Sequence, residues 1–298
     1  MICTICPRKC GVERNSADHF PGGRGFCGSP LEPLLARAGL HFWEEPVISG
    51  IKGSGTVFFS GCNLRCIYCQ NYGISTALQG KTVTVARLRE IYEELIAQGA
   101  HNINLVTPSH YTHAILESLS EPLPVPVVYN TNGYDSLESL KLLEGKIDIY
   151  LPDLKYADPA MAKKYSGAED YFEVAASAIK EMFRQTGPFE IDSDGIMRRG
   201  VIIRHLILPG HVANSLKVLK WIGENFKPGD IMFSLMHQYV PCGRVSDTEF
   251  PELNRRISRS EYQRVEDALM NSNIEDGFLQ EEPSASKEFI PAFDGSGV

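Results

Sequence analysis

The sequence predicts an α/β protein: a partial (βα)6 TIM-like barrel preceded by a small Cys-rich N-terminal metal-bound segment. Three observations predict it. Between about residues 56 and 272, short β-rich runs alternate with stretches of helical periodicity, the pattern of repeated βα units around a parallel sheet. Seven of the eight cysteines fall into two tight groups, at 3–27 and 62–69, as metal sites do. At 298 residues and 43% hydrophobic, the chain is long enough to bury one large core plus a small appendage.

In chain order, residues 1–40 combine Cys3, Cys6, Cys10 and Cys27 with a loop-forming Pro21-Gly22-Gly23-Arg24-Gly25 run and little hydrophobic periodicity. This first domain is expected to be a cap that needs a metal to fold. A barrel core over 41–275 follows, with six strands expected at 56–60, 103–106, 127–130, 147–151, 201–207 and 231–235. Helices are expected over 85–98, 170–184, 213–224 and 260–270; in the first, Leu88, Ile91, Leu95 and Ile96 keep a period of about 3.6 residues. Residues 188–199, with Asp194-Gly195, break the alternation as a hairpin or loop insertion. Residues 276–298 mix charge, proline and glycine with a few aromatics, and are expected to form a tail or an ordered cover over the barrel.

The net charge of -8 and pI near 5.5 provide no global field for a nucleic-acid backbone. The polar, cysteine-rich N-terminus does not read as a secretion signal, and no apolar run approaches the ~18 residues of a membrane span. The expectation is a cytoplasmic protein with thiolate ligands and neither nucleic-acid nor membrane partners.

The strongest chemical signal is Phe58-Phe59-Ser60-Gly61-Cys62-Asn63-Leu64-Arg65-Cys66-Ile67-Tyr68-Cys69-Gln70-Asn71, directly after the first expected strand. Thiolates from Cys62, Cys66 and Cys69 can wrap one [4Fe-4S] cubane and ligate three of its irons. The open iron can chelate the amino and carboxylate groups of S-adenosylmethionine (SAM), whose sulfonium then takes an electron and yields methionine and a 5′-deoxyadenosyl radical. The protein's part is to orient SAM and aim the radical. Tyr68 is placed to lay its ring near the adenine. The competing reading is a structural zinc knuckle, but zinc more often takes paired Cys-x2-Cys hooks and four ligands. A position at the C-terminal end of a barrel strand is where such barrels carry active sites.

By this motif and its flanks, the chain resembles the radical SAM superfamily over about residues 56–250, which implies a partial barrel of the radical SAM type. Within it, Glu44-Glu45-Pro46, Gly53-Ser54-Gly55-Thr56, Asn130-Thr131-Asn132-Gly133-Tyr134, Leu151-Pro152-Asp153-Leu154-Lys155 and Ile203-Arg204-His205 through Pro209-Gly210 resemble the glycyl-radical-activating branch. The nearest group is that of the pyruvate formate-lyase activating enzyme homologues. The resemblance implies that Asp153 and Lys155 contact SAM or a nearby cation and that Arg204 lines the pocket. Otherwise, Asp153 and Lys155 form a solvated pair and Arg204 braces the barrel. The chain also departs from the branch. Thr107-Pro108-Ser109-His110 stands where a Gly-Gly-Glu type segment would hold the SAM amino group, leaving Thr107, Ser109 or backbone carbonyls as acceptors. Asn130 replaces an aspartate and removes one carboxylate from a cation site. His237-Gln238-Tyr239 replaces a Pro-Tyr-His type segment, so His237 is expected to pack or to support other side chains.

Cys3-x2-Cys6-x3-Cys10-x16-Cys27 offers four thiolates, enough for closed tetrahedral zinc or a fully ligated second [4Fe-4S] cluster. Spacing does not decide between them; an iron-sulfur cluster would add an electron relay or a substrate-binding iron. The resembled group shares Cys-Pro-Arg-x-Cys-Gly here, matching Cys6 to Gly11, and the ferredoxin-like insert of many activating enzymes does not follow Cys69. Cys242 is either a hydrogen donor or auxiliary ligand at the pocket, or a small buried hydrophobe. Asp294-Gly295-Ser296-Gly297-Val298 faintly resembles the glycyl loop that activating enzymes modify, but glycine-rich ends are normally mobile.

Together these features imply reductive cleavage of SAM, fed by an external one-electron reductant such as flavodoxin or ferredoxin. The resulting radical abstracts hydrogen from a protein glycine or, alternatively, from a small molecule or peptide. A non-catalytic iron-sulfur electron-transfer or regulatory protein is the reading from another class; it fits poorly with a three-cysteine site, since four-cysteine ligation protects an electron-transfer cluster.

Overall fold

The computed structural model describes residues 2–14, 25–280 and 291–298; residues 21–24 of the expected loop and 281–290 of the expected tail lie outside these. The described elements run β1 (Leu34–His41), α1 (Pro46–Ser49), β2 (Ser54–Phe59), α2 (Tyr72–Ser75), β3 (Lys81–Thr82), α3 (Val85–Ala97), β4 (Ile103–Val106), α4 (Thr112–Ser118) and β5 (Val127–Thr131). They continue with α5 (Leu137–Leu142), β6 (Ile149–Pro152), α6 (Pro159–Ser166), α7 (Tyr171–Thr186), β7 (Glu190–Ile191), β8 (Met197–Leu206), α8 (Val212–Asn225), β9 (Met232–Met236), α9 (Arg259–Met270) and β10 (Gly277–Leu279).

The six expected strands are β2, β4, β5, β6, β8 and β9, hydrogen-bonded in that order and all parallel. Such strands are covered on both faces, which is why β2, β4, β5 and β9 are buried at every residue. The sheet is open rather than closed. It ends at β10, parallel to β9, on one side and at antiparallel β1 and β3 on the other. The 188–199 excursion is a hairpin, β7 against the start of β8.

Three strands were not legible. β1 begins inside residues 1–40, where a bulge between Leu35 and Arg37 breaks the alternation. β3 has two residues, and β10 has three. Gly277 lets β10 approach its neighbour, since a Cβ there would fall 1.9 Å from the Phe233 carbonyl oxygen. The described C-terminal residues, 291–298, pack against β1 and β2. Ala38 N donates to Ser296 O at 3.0 Å, Gly295 N donates to Ala36 O at 3.0 Å, and the Phe293 ring meets Phe58 edge-on at 5.3 Å.

Strand alternation divides the core. Tyr129, Tyr150, Phe233 and Leu235 point outward into the helical layer with Ile91, Ile179 and Val218. Val128, Ile149, Leu151, Ile202 and Met232 point inward and meet Val47 and Ile48 of α1. This one-turn helix plugs the barrel, and each fully buried aliphatic of the plug contributes about 1.5–3 kcal/mol. Just ahead of it, Glu44 enters the barrel interior, where the site lies.

Candidate active site

The loop after β2 carries Cys62, Cys66 and Cys69, and two backbone features shape it. Gly61 sits at φ +88°, and a Cβ there would fall 2.0 Å from Ser29 Oγ of the N-terminal segment. Arg65 adopts φ +57° in the turn between Cys62 and Cys66. The loop after β5 braces the cysteines from across the barrel. Asn63 Nδ2 donates to Tyr134 O at 2.6 Å, and Asn132 Nδ2 contacts Asn63 Oδ1 at 2.8 Å and Cys62 Sγ at 3.3 Å. Cys66 Sγ accepts from Ser166 Oγ at 2.9 Å and Cys69 Sγ from Ser75 Oγ at 3.4 Å. Burial pushes the Cys66 thiol up, opposed by nearby Lys155 and Ser166. Burial and then Cys66 push Cys69 up to about 12. A metal bound here would have to displace their protons.

Beneath the loop is a cavity of about 270 Å³. Cys66, Tyr68 and Cys69 line it on one side, Phe58 and Trp43 on another, and Asn130, Asp153, Lys155, Arg204 and Glu44 close its inner end. This charged end is one network. Arg204 donates to Asp153 at 2.9 Å, to Asn130 Oδ1 at 2.6 Å and to Glu44 at 3.1 Å. Lys155 reaches the other Asp153 oxygen at 2.6 Å, and Asn130 and Asn104 donate to Glu44. With side-chain exposures of 11–17%, these are partly buried pairs, and Asp153 and Lys155 do pair with each other on the cavity wall. Burial alone would raise the Asp153 pKa, but Arg204 and Lys155 outweigh it and hold the carboxyl below its usual range. Burial wins at Glu44 and Glu45, whose carboxyls are pushed up against the pull of Arg204.

The structure thus brings Tyr68, Asn130, Asp153, Lys155 and Arg204 to one cavity with Cys66 and Cys69. Thr107 and Ser109 are not among its lining residues. Thr107 occupies a φ +59° turn, and Ser109 Oγ pairs with Thr131 Oγ1 at 3.2 Å beside buried Asp135. His205 faces the helices, bonded to Leu154 O and Ser215 Oγ. His237 packs on the Tyr262 ring. Cys242 is half-buried rather than a core hydrophobe, and its Sγ donates to Tyr68 O at 3.0 Å. Glu44, Asn132, Ser75 and Ser166 join the site unforeseen. Glu44 and Asn132 lie in segments that carry the family resemblance, whereas Ser166 gives no sequence signal because α6 brings it back 100 residues later.

The N-terminal cysteines dock on the same loops. Ile5 O accepts from Ser136 Oγ and Ser139 Oγ, and Arg8 donates to Asn63 O and Ser166 O. Cys3, Cys6 and Cys27 are buried and Cys10 is exposed. Burial pushes Cys6 up to about 11, and the charges of Cys27, Cys3 and Cys10 act in the same direction. Among the described residues, no three His, Cys, Asp or Glu side chains converge as the ligands of a single metal ion would. A cubane spreads its ligands over several corners, so this spacing is no obstacle to one at the 62–69 loop.

The sequence profile of the radical SAM superfamily matches residues 56–222, from within β2 through most of α8, including the cysteine loop. The chain belongs to the radical SAM superfamily. An uncharacterised protein of Methanocaldococcus jannaschii is 31% identical over 277 residues, covering 90% of this chain and 73% of that one. The 7-carboxy-7-deazaguanine synthase of Methanothermobacter thermautotrophicus is 35% identical over 97 residues, 29% of this radical SAM chain and 39% of the synthase. Streptococcus suis SuiB bound to S-adenosylmethionine superposes with a TM-score of 0.50 at 12% identity over 74% of this chain and 48% of its own. The FeFe-hydrogenase maturase HydG from Carboxydothermus hydrogenoformans gives 0.51 at 15% over 79% and 55%. These two structures share the fold, and this chain spans about half their length. Superfamily membership brings a [4Fe-4S] cluster, SAM binding and SAM-dependent radical chemistry. Among the described residues, no helix is long and apolar enough to cross a membrane.

Proposed function

We propose that Cys62, Cys66 and Cys69 ligate the [4Fe-4S] cluster and that SAM lies in the cavity below, where its radical abstracts hydrogen from a bound substrate. The observation that carries this reading is the opening of a three-cysteine loop onto a cavity whose inner end holds partly buried Lys155 and Arg204. The residues fit the cofactors. Each sulfur faces a hydrogen-bond donor, as a thiolate ligand requires, and the charged network offers cations to a carboxylate and carboxylates to an ammonium group.

Cys62, Cys66 and Cys69 would hold the cluster, which when bound would supply the electron for reductive cleavage of SAM. This chain's residues do the positioning. Asp153 fixes Lys155 and Arg204 from opposite oxygens, Glu44 and Asn130 hold the Arg204 guanidinium from beneath, and Phe58 and Trp43 wall the cavity. Thr107 and Ser109 act indirectly, through the turn after β4. The reductant is an external one-electron carrier such as flavodoxin or ferredoxin, in a reducing cytoplasm. The proposal extends to a second metal at Cys3, Cys6, Cys10 and Cys27, zinc or iron-sulfur, whose binding would have to draw together thiols that do not converge on one point in this structure. A protein glycine is the substrate that the likeness to activating enzymes favours. A small molecule is the second reading, favoured by the partly buried charges at the cavity's inner end.

The test is anaerobic reconstitution with iron and zinc counted, followed by electron paramagnetic resonance with and without SAM. A SAM-induced change in the spectrum that disappears in Cys66→Ala supports the reading, and a cluster indifferent to SAM overturns it. A glycyl radical on a co-produced partner separates the two substrates.

A further inference from the structure

The sulfur donors at the cysteine loop are not equivalent. Asn132 and Ser75 stand 3.3 and 3.4 Å from Cys62 and Cys69, whereas Ser166 stands 2.9 Å from Cys66 and is itself held from behind. Its hydroxyl lies 2.8 Å from Tyr156 OH, which lies 2.6 Å from Tyr68 OH, and all three side chains are buried. A hydroxyl has one proton to give. With Cys66 a ligand thiolate, Ser166 spends its proton on it and must accept from Tyr156; Tyr156, having given its own, must accept from Tyr68. The chain therefore runs one way, from Tyr68 through Tyr156 and Ser166 to the Cys66 sulfur. The backbone fixes its end: Ser166 closes α6 against Gly167 in a left-handed cap, and Arg8 Nη2 donates to Ser166 O at 3.1 Å.

We propose that this hydroxyl chain sets the reduction potential of the site, with Ser166 as the positioning residue. The inference rests on the reading that Cys66 ligates the cluster. A donor aimed at a ligand sulfur stabilises the more negatively charged, reduced state, and a one-way chain of buried hydroxyls polarises its last donor. The chain begins at Tyr68, inside the cysteine motif itself, so the loop supplies both the ligand and the far end of the device that tunes it. It also turns the Tyr68 hydroxyl away from the cavity, leaving only the ring to face a ligand.

The experiment compares full-length wild type, Ser166→Ala, Ser166→Thr and Tyr156→Phe after anaerobic reconstitution, with iron counted and the cluster titrated against potential by electron paramagnetic resonance. Ser166→Ala is expected to keep its iron and its SAM-induced spectral change. Its ratio of reduced to oxidised cluster at a fixed potential should fall about tenfold, equivalent to ~59 mV for one electron. Tyr156→Phe should move it the same way by less, and Ser166→Thr should restore it. An unchanged potential in iron-replete Ser166→Ala overturns the proposal. If Ser166→Ala loses iron, an unchanged potential in Tyr156→Phe overturns it, because that variant keeps the donor and removes its backing. Failure of the ligand assignment looks different: Cys66→Ala would retain the cluster and its response to SAM.

Discussion

The two cysteine groups dock on the same set of loops but are held differently. Around Cys62, Cys66 and Cys69, the barrel supplies the frame: Asn132 follows β5, Ser166 ends α6 and Ser75 ends α2, each aimed at a different sulfur. Around Cys3, Cys6, Cys10 and Cys27, the frame is mostly local backbone, such as Cys3 N to Val12 O and Gly11 N to Cys3 O. Arg14 donates to Cys27, and Cys10 lies exposed. The first group is framed by residues of the barrel core. The second belongs to a segment too small to bury such a core, so its geometry depends on what it binds.

The largest effect that would break this comparison comes from exchanging the consequences of cysteine loss. Cys66→Ala should reduce SAM cleavage to background while the thermal unfolding midpoint stays close to wild type. Cys6→Ala should lower that midpoint and expose residues 1–40 to proteolysis while the SAM-responsive spectrum persists. A barrel that unfolds in the first variant, or a spectrum lost in the second, would mean that the two sites are one cooperative unit.

The charged network should be nearly as costly to disturb. Asp153→Ala leaves Lys155 without its carboxylate partner and Arg204 with Glu44 and Asn130 alone, and is expected to cost about 3 kcal/mol in denaturant unfolding, the low end for a broken buried pair. Glu44→Gln should cost less, because the burial-raised carboxyl is closer to neutral already.

A pH effect separates the inner and outer faces of β8. Burial holds His205 down to about 4 against an ordinary 6.5, so the folded chain keeps it neutral where the unfolded chain takes a proton. A depressed histidine contributes its full stability above pH 6.5 and loses it as pH falls toward 4, by about 3 kcal/mol across that window. His205→Gln should flatten this part of the stability profile while the Arg204 network next to it is retained.

The smallest expected change calibrates the rest. Ser258 accepts from Glu261 N at 3.3 Å in a capping box on α9, remote from both cysteine groups. Ser258→Ala should cost about 1 kcal/mol and leave SAM cleavage unchanged.

Much of the barrel was legible because a parallel strand covered on both faces is written as a continuous apolar run, as in Val127 to Asn130. Edge elements carry no such run. β1 is bulged and β10 is three residues against Phe233, so both were read as non-strand.

At the site, the sequence by itself determined the ligand chemistry. Three thiols within eight residues must share one loop, and strand alternation sends Asn130, Asp153 and Arg204 to the barrel interior. Tertiary structure alone decided which distant groups complete it. Glu44 arrives just ahead of the plug helix, Ser166 on the end of α6 and Pro291 from the C-terminus, while Ser109 turns away toward Thr131. The physical reason is that spacing fixes contacts within an element or loop, but a hydrogen bond across 100 residues exists only once the packing of the helices around the sheet has chosen where their ends fall.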